Sequence, residues 1–148
     1  MPVTPTSWRR SWVAPPDPME PTTEQLAHLS ADERGGPVVM LNLVRFRDRA
    51  SDGDGSGLDA YRRYSRGFIP LLKQRGGTVL WAGDVTGVAI GDDVADRWDY
   101  AVLVKYPDRQ AFVDTVTSQE YREINAHRVS GLAKHVILPV SQTYSKFG

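Results

Sequence analysis

Residues 38–46 read VVMLNLVRF and decide the fold class of this chain. The stretch is rich in β-branched residues and is apolar at both alternations, which predicts a strand covered on both faces. Asn42 interrupts this apolar run, and Asp99 interrupts the strand predicted over residues 97–106 in the same way. A polar group buried in such a strand needs a hydrogen-bonding partner or a ligand. The strand therefore predicts a sheet with a covering layer on each side, and Asn42 and Asp99 are candidates for a site.

The sequence on either side of this strand predicts the element order β-α-β-β-α-β. Ser56 and Asp59 have capping-box spacing ahead of an apolar helix face, and Gly76-Gly77 is typical of the end of that helix. Asp108 and Ser118 are N-cap residues for the two parts of the second helix. The three further strands are predicted over residues 78–90, 97–106 and 134–145.

This order is that of a ferredoxin-like α+β fold, in which a four-stranded antiparallel sheet carries two helices on one face. The other face of such a sheet is bare in one subunit. The predicted strands are nevertheless apolar at both alternations, as Val39 and Leu41 show against Val38 and Met40. A second copy of the chain is the simplest cover for the bare face, so the sequence predicts a homodimer.

The length of 148 residues fits one domain, expected over residues 22–148. Residues 1–21 are expected to form an extended, proline-rich N-terminal arm, because proline fixes φ and offers no N–H group. Trp8 and Trp12 lie in this arm. Two such large apolar surfaces favour an arm that packs on the body of the protein or on a partner subunit.

Composition argues against several functional classes. The absence of cysteine removes disulfides, thiolate nucleophiles and cysteine-ligated metals, and His28, His127 and His135 lie on different elements, so no metal or cofactor is expected. The 18 basic and 18 acidic residues balance, which disfavours nucleic acid and membrane partners. The twin arginines Arg9-Arg10 are not followed by the apolar stretch of an export signal, so a cytoplasmic location is expected.

Several motifs in this order and spacing resemble an uncharacterised family, the "domain of unknown function 1330" family of the dimeric α+β-barrel superfamily. The motifs are Gly36-Pro37-Val38-Val39-Met40-Leu41-Asn42-Leu43, Tyr61-Arg62-Arg63-Tyr64, Trp81-Ala82-Gly83, Trp98-Asp99, Tyr106-Pro107-Asp108-Arg109, Ser118-Gln119-Glu120-Tyr121 and His127-Arg128. The resemblance implies a ferredoxin-like subunit whose sheets meet face to face in a dimer. It implies little about chemistry, because the superfamily includes cofactor-free oxygenases, isomerases, haem-handling proteins and stress proteins.

His127 is a candidate catalytic residue, because an imidazole titrates near neutral pH and can move protons. Glu123 lies one turn earlier and could orient the ring, and Arg128 could bind an anionic group of a substrate. The alternative is a surface His–Glu pair without function. The apolar pattern of this helix favours that alternative, since it turns Arg128 inward and His127 outward.

Asn42, Arg45, Trp81 and Asp99 could line a mostly apolar cavity with a few polar anchors, with Asp99 as a second candidate catalytic group. Alternatively, Asn42 and Asp99 belong to a structural network at the dimer seam. Two hypotheses follow. In the first, the protein handles a small organic ligand, and this includes the case of a metal-free enzyme resembling an isomerase or a cofactor-free oxygenase. In the second, it is a non-catalytic homodimer with a metabolite-binding, stress or structural role.

Overall fold

The structure is a computed structural model that describes residues 19–147, so nearly all of the predicted arm over residues 1–21 lies outside the described part. In chain order the elements are α1 (Thr23–Ala31), β1 (Val38–Phe46), α2 (Gly57–Gln74), β2 (Thr78–Asp84), β3 (Tyr100–Tyr106), α3 (Arg109–Val116), α4 (Gln119–Gly131) and β4 (Leu132–Val140). The β-α-β-β-α-β order is confirmed, with α3 and α4 together forming its second helix. Helix α1 is an addition ahead of this core.

The four strands form one antiparallel sheet in the order β2-β3-β1-β4. Strand β1 lies in the interior of the sheet and pairs with β3 on one side and β4 on the other. This is the ferredoxin-like arrangement that the sequence predicted. The central position of β1 explains why residues 38–46 are apolar at both alternations.

Three strands differ in extent from the sequence prediction: β2 spans residues 78–84, β3 spans 100–106 and β4 spans 132–140. Between β2 and β3, hydrogen bonds within the loop replace the strand ladder. The Asp92 carboxylate accepts hydrogen bonds from the backbone N–H groups of Val94 at 3.0 Å and Ala95 at 2.7 Å. Aspartate competes with strand pairing in this way, which is why the hairpin prediction was too long.

The starts and ends of the helices agree with the local signals in the sequence. The Ser56 hydroxyl accepts the N–H of Asp59 at 3.0 Å, and the Asp59 carboxylate accepts the N–H of Ser56 at 2.9 Å. Helix α2 ends at Gln74. Gly76, just after the C-cap, has a φ of 78° that glycine readily adopts, and the N–H of Gly77 donates to the carbonyl of Leu72 at 2.9 Å. These bonds satisfy backbone groups that a helix terminus leaves free.

The two faces of the sheet have different surroundings. On the helix side, Val38, Met40 and Val104 are buried against Leu72 and Phe112. On the outer side, each strand contributes one side chain to a row that we call the outer apolar row. The row consists of Trp81, Leu103, Leu41 and Leu138. Trp81 and Leu138 at its ends are 45% and 46% exposed in the single chain.

The start of α2 crosses the end of α4 at two glycines that are in backbone contact. The N–H of Gly57 donates to the carbonyl of Arg47 at 3.1 Å, and the N–H of Arg47 donates to the carbonyl of Gly131 at 2.9 Å. A Cβ atom at Gly57 would lie 2.1 Å from the Arg47 carbonyl oxygen and 2.6 Å from the Gly131 carbonyl oxygen. Backbone atoms cannot rotate away as a side chain can, so this crossing requires glycine.

We expect Gly57→Ala to lower the free energy of unfolding by about 3 kcal/mol or more, because the added methyl group overlaps backbone atoms of two other segments. Gly35→Ala is the matched control, since its Cβ would have no neighbour within 4 Å. Urea unfolding followed by circular dichroism measures both. Equal stabilities of the two variants would contradict the close approach described above.

Candidate functional site

A large cavity lies between α1, α3, α4 and the helix-facing side of β4, and its volume is about 810 Å³. Its walls are mostly apolar, with Leu29, Phe112 and Ile137 among the lining residues, and Arg128 and His135 lie at one side. A smaller space of about 60 Å³ adjoins it between the sheet and α2. A mostly apolar cavity with a few polar anchors is the usual composition of a small-molecule site.

Arg128 of α4 is the central polar residue of this cavity, and its side chain is only 4% exposed. Its Nε donates to Asn125 Oδ1 at 2.9 Å, and its Nη1 lies 2.9 Å from His135 Nδ1. Its Nη2 donates to the carbonyl of Met19 and lies 3.2 Å from Glu20 Oε1. The guanidinium therefore joins three segments of the chain.

The hydrogen bonds that lead from Arg128 into the sheet have a defined direction. A guanidinium has no acceptor, so His135 Nδ1 must accept from Arg128 and the ring proton must sit on Nε2. His135 Nε2 then donates to Asn42 Oδ1 at 2.9 Å. The Asn42 amide nitrogen in turn donates to the carbonyl of Met40 at 3.1 Å. Asn42, singled out in the sequence because it interrupts β1, thus has its polar atoms satisfied.

His135 is neutral in this network. Burial and, as the smaller cause, the positive charge of Arg128 together lower its pKa from 6.5 to about 3. From the sequence, His135 was weighed only as a metal ligand. The signal for its role was an imidazole in a mostly apolar strand, since alternation along β4 puts it on the same face as Ile137.

Tyrosines add neutral polar groups beside the cavity. The Tyr64 hydroxyl donates to the Tyr121 hydroxyl at 3.3 Å, and Tyr121 lines both the large and the small cavity. Burial raises the pKa of Tyr64 well above its usual value and that of Tyr61 to about 12. These phenols keep their protons at physiological pH and act as hydrogen-bonding groups, not as bases.

The structure brings together two of the predicted site residues, Asn42 and Arg128, through His135. Asp99 and Arg45 lie elsewhere, at the loop between β2 and β3. The Asp99 carboxylate accepts the backbone N–H of Phe46 at 2.8 Å. Arg45 donates to the carbonyl of Arg97 at 3.0 Å through Nε. Both residues hold the loop against the end of β1, next to a depression of about 350 Å³.

Trp81 and His127 are also remote from the large cavity. A register shift between Val79 and Trp81 interrupts the strict alternation along β2. Val79 pairs with Val104 on the helix side, whereas Trp81 pairs with Leu103 and points to the outer side. His127 accepts a hydrogen bond from Arg63 Nε at 3.3 Å, between α4 and α2. Neither residue lines the large cavity.

Residues 19–147 contain neither a cluster of metal-binding side chains nor a helix that could span a membrane. No group of three or more His, Asp or Glu side chains in this range is arranged to hold a metal ion. None of the helices in this range combines the length and the apolar character needed to cross a bilayer.

The sequence matches one family profile. Residues 56–140, more than half of the chain, match the family described as "Domain of unknown function (DUF1330)". Among curated proteins, no relative matches the sequence.

Solved structures extend the comparison. A protein of unknown function from Rhodopseudomonas palustris is 33% identical, with a TM-score of 0.80 over 87% of this chain and 99% of that chain. A protein from Arabidopsis thaliana is 12% identical, with a TM-score of 0.53 over 74% of this chain and 98% of that chain. A protein from Bacteroides fragilis, described as dimeric with a ferredoxin-like fold, is 10% identical, with a TM-score of 0.50 over 72% of this chain and 96% of that chain. The last two likenesses show the fold alone.

The low pKa of His135 predicts a pH-dependent stability. Above pH 6.5 the ring is neutral in both the folded and the unfolded chain, so it contributes no pH dependence. Between pH 6.5 and about 3 the unfolded chain binds a proton that the folded chain does not, so stability falls as the pH falls. We expect His135 to account for a loss of about 1–2 kcal/mol between pH 6.5 and 5.

The measurement is urea unfolding at a series of pH values for the parent chain, His135→Gln and His127→Gln. The His135→Gln variant should lose this part of the pH dependence. The His127→Gln control keeps His135 and should follow the parent chain. If all three chains show the same slope against pH, the neutral, buried state of His135 is wrong.

Proposed function

This chain belongs to the DUF1330 family, and from that premise we propose that it is a small-molecule-handling protein that binds one organic ligand in the large cavity. The observation that carries the proposal is a space of about 810 Å³ with mostly apolar walls and the guanidinium of Arg128 at one side. A concave space of this size with mostly apolar walls and a few polar anchors is the usual form of a small-molecule site, so it favours a ligand.

Binding, not catalysis, is the role that these hydrogen bonds support best. His135 uses both ring nitrogens, one toward Arg128 and one toward Asn42, so it has no free lone pair for a substrate proton. His127 faces Arg63, and Asp99 accepts a backbone N–H. An isomerase-like or oxygenase-like reaction needs a base within hydrogen-bonding reach of the ligand. We therefore propose that the protein binds a ligand and that these residues transfer no proton.

The same proposal includes a homodimer in which two sheets meet through the outer apolar row. Its end residues Trp81 and Leu138 are nearly half exposed in one chain, and Leu41 and Leu103 lie between them. A row of large apolar side chains that crosses every strand is costly to leave in water, and an identical face would cover it. The dimeric protein from Bacteroides fragilis shares this fold.

Filling the cavity should weaken ligand binding. We expect Ile137→Phe, which places a larger ring on the helix-facing side of β4, to weaken binding of 1-octanol about tenfold, equivalent to about 1.4 kcal/mol. An NMR titration that follows backbone amide shifts locates the bound probe. Val140→Phe, on the outer side of the same strand, is the control and should bind as the parent chain does. Amide shifts confined to the outer face of the sheet would refute the cavity as the site.

A charge within the outer apolar row should break the dimer. We expect Leu138→Glu to give monomers at micromolar concentration in analytical ultracentrifugation, because two copies would bring buried, unpaired carboxylates together. Leu58→Glu is the control, since Leu58 is a similarly exposed apolar residue on the helix layer, and it should leave the dimer intact. A dimer that survives Leu138→Glu would place the interface elsewhere.

A further inference from the structure

The buried charge of Arg128 has a single anionic partner among residues 19–147, the carboxylate of Glu20. A guanidinium is never neutral at physiological pH, so its burial is costly unless a nearby anion and hydrogen-bond acceptors compensate it. Asn125 Oδ1, His135 Nδ1 and the Met19 carbonyl supply neutral acceptors. They satisfy its N–H groups, but none of them balances its charge, which leaves this task to Glu20.

The carboxylate of Glu20 is held by two donors that lie one helical turn apart on α4. Arg128 Nη2 is 3.2 Å from Glu20 Oε1, and Asn125 Nδ2 donates to the same oxygen at 2.7 Å. The bond from Arg128 Nε to Asn125 Oδ1, at 2.9 Å, orients the two donors relative to each other. Arg128 and Asn125 thus form a preorganised binding position for one carboxylate.

The two sides of this ion pair differ in how firmly they are held. The Arg128 side chain is 4% exposed and is anchored by α4 and β4, whereas the Glu20 side chain is 54% exposed. Glu20 lies in an irregular segment ahead of the N-cap Thr22 and lines the large cavity. Because Glu20 is half exposed, its carboxylate can move into water when another anion takes its place beside the buried guanidinium. The binding position is therefore fixed, and its occupant is exchangeable.

We propose that the ligand of this cavity is a hydrophobic monocarboxylate, and that Glu20 occupies the carboxylate position when the ligand is absent. This inference rests on the proposed ligand-binding function. The ligand carboxylate would replace Glu20 on Arg128 and Asn125, and its hydrocarbon part would contact the apolar wall that includes Leu29, Phe112 and Ile137. The exchange keeps the buried guanidinium paired with an anion at every stage.

Octanoate and 1-octanol are the probes, since they share a similar chain length and differ in charge. Glu20→Gln removes the competing carboxylate, so octanoate should bind about tenfold more tightly than it does to the parent chain if Glu20 occupies the position nine-tenths of the time. Binding of 1-octanol should change less than about twofold. Glu24→Gln is the matched control, since it removes the same charge from an exposed residue of α1. The affinities come from NMR titrations that follow the amides of cavity residues.

Glu20→Asp tests whether octanoate binding depends on occupation of the carboxylate position by residue 20 or on the net charge of the chain. It keeps the negative charge but shortens the side chain by one methylene, so it should also tighten octanoate binding. This variant keeps the experiment decisive if Glu20→Gln does not fold, which circular dichroism reports for each chain before titration.

The outcomes distinguish this inference from the function on which it rests. One outcome is that 1-octanol binds in the cavity but neither Glu20→Gln nor Glu20→Asp raises the affinity for octanoate. The proposed carboxylate ligand is then wrong, and the proposed ligand-binding function is retained. If Glu24→Gln tightens octanoate binding as much as Glu20→Gln, a general charge effect replaces the proposed exchange. If neither probe shifts the amides of cavity residues in any of these chains, the ligand-binding function fails and this inference fails with it.

Discussion

The sheet of this protein is apolar on both faces, and most of the structure follows from keeping each face from water. Helices α2, α3 and α4 cover one side, where Met40 and Val104 are buried. The other side carries the outer apolar row, which the single chain leaves partly exposed. Because β1 pairs on both edges and is apolar on both faces, it defines the centre of the molecule. The backbone contact of Gly57 with Gly131 brings α2 and α4 close together above it.

The cavity arises where this covering is incomplete. Helix α1 has no fully buried residue, and it lies beside the edge of the sheet and does not fill the space there. Polar groups line one side of this space and form hydrogen bonds with one another. Arg128 donates to His135, and His135 donates to Asn42. Such a network has few alternative arrangements, since the guanidinium only donates and so determines the tautomer of the imidazole. The result is a rigid polar wall facing an apolar space.

The shared fold and the residues of the candidate site give different kinds of information about function. The fold is shared with proteins that are only 10–12% identical, so it does not specify a chemistry. The candidate site depends on the placement of Arg128 and on the glutamate that pairs with it. The predicted residues Asp99 and Arg45 serve the fold, because they hold the loop after β2 against the end of β1. A polar residue in an apolar strand is thus a reliable sign of a bonded group, but not by itself of a ligand site.

The sequence by itself determined the element order, the helix caps and the two-sided apolar character of the sheet. These features depend on contacts within a few residues, such as the capping pair Ser56 and Asp59, or on the period of the apolar pattern. The tertiary structure alone decided which polar residues meet. Asn42 and His135 are 93 positions apart and meet through the pairing of β1 with β4. The register shift in β2 turns Trp81 to the outer face of the sheet. Strand register and bulges depend on the packing of the whole sheet, so a local pattern does not reveal them.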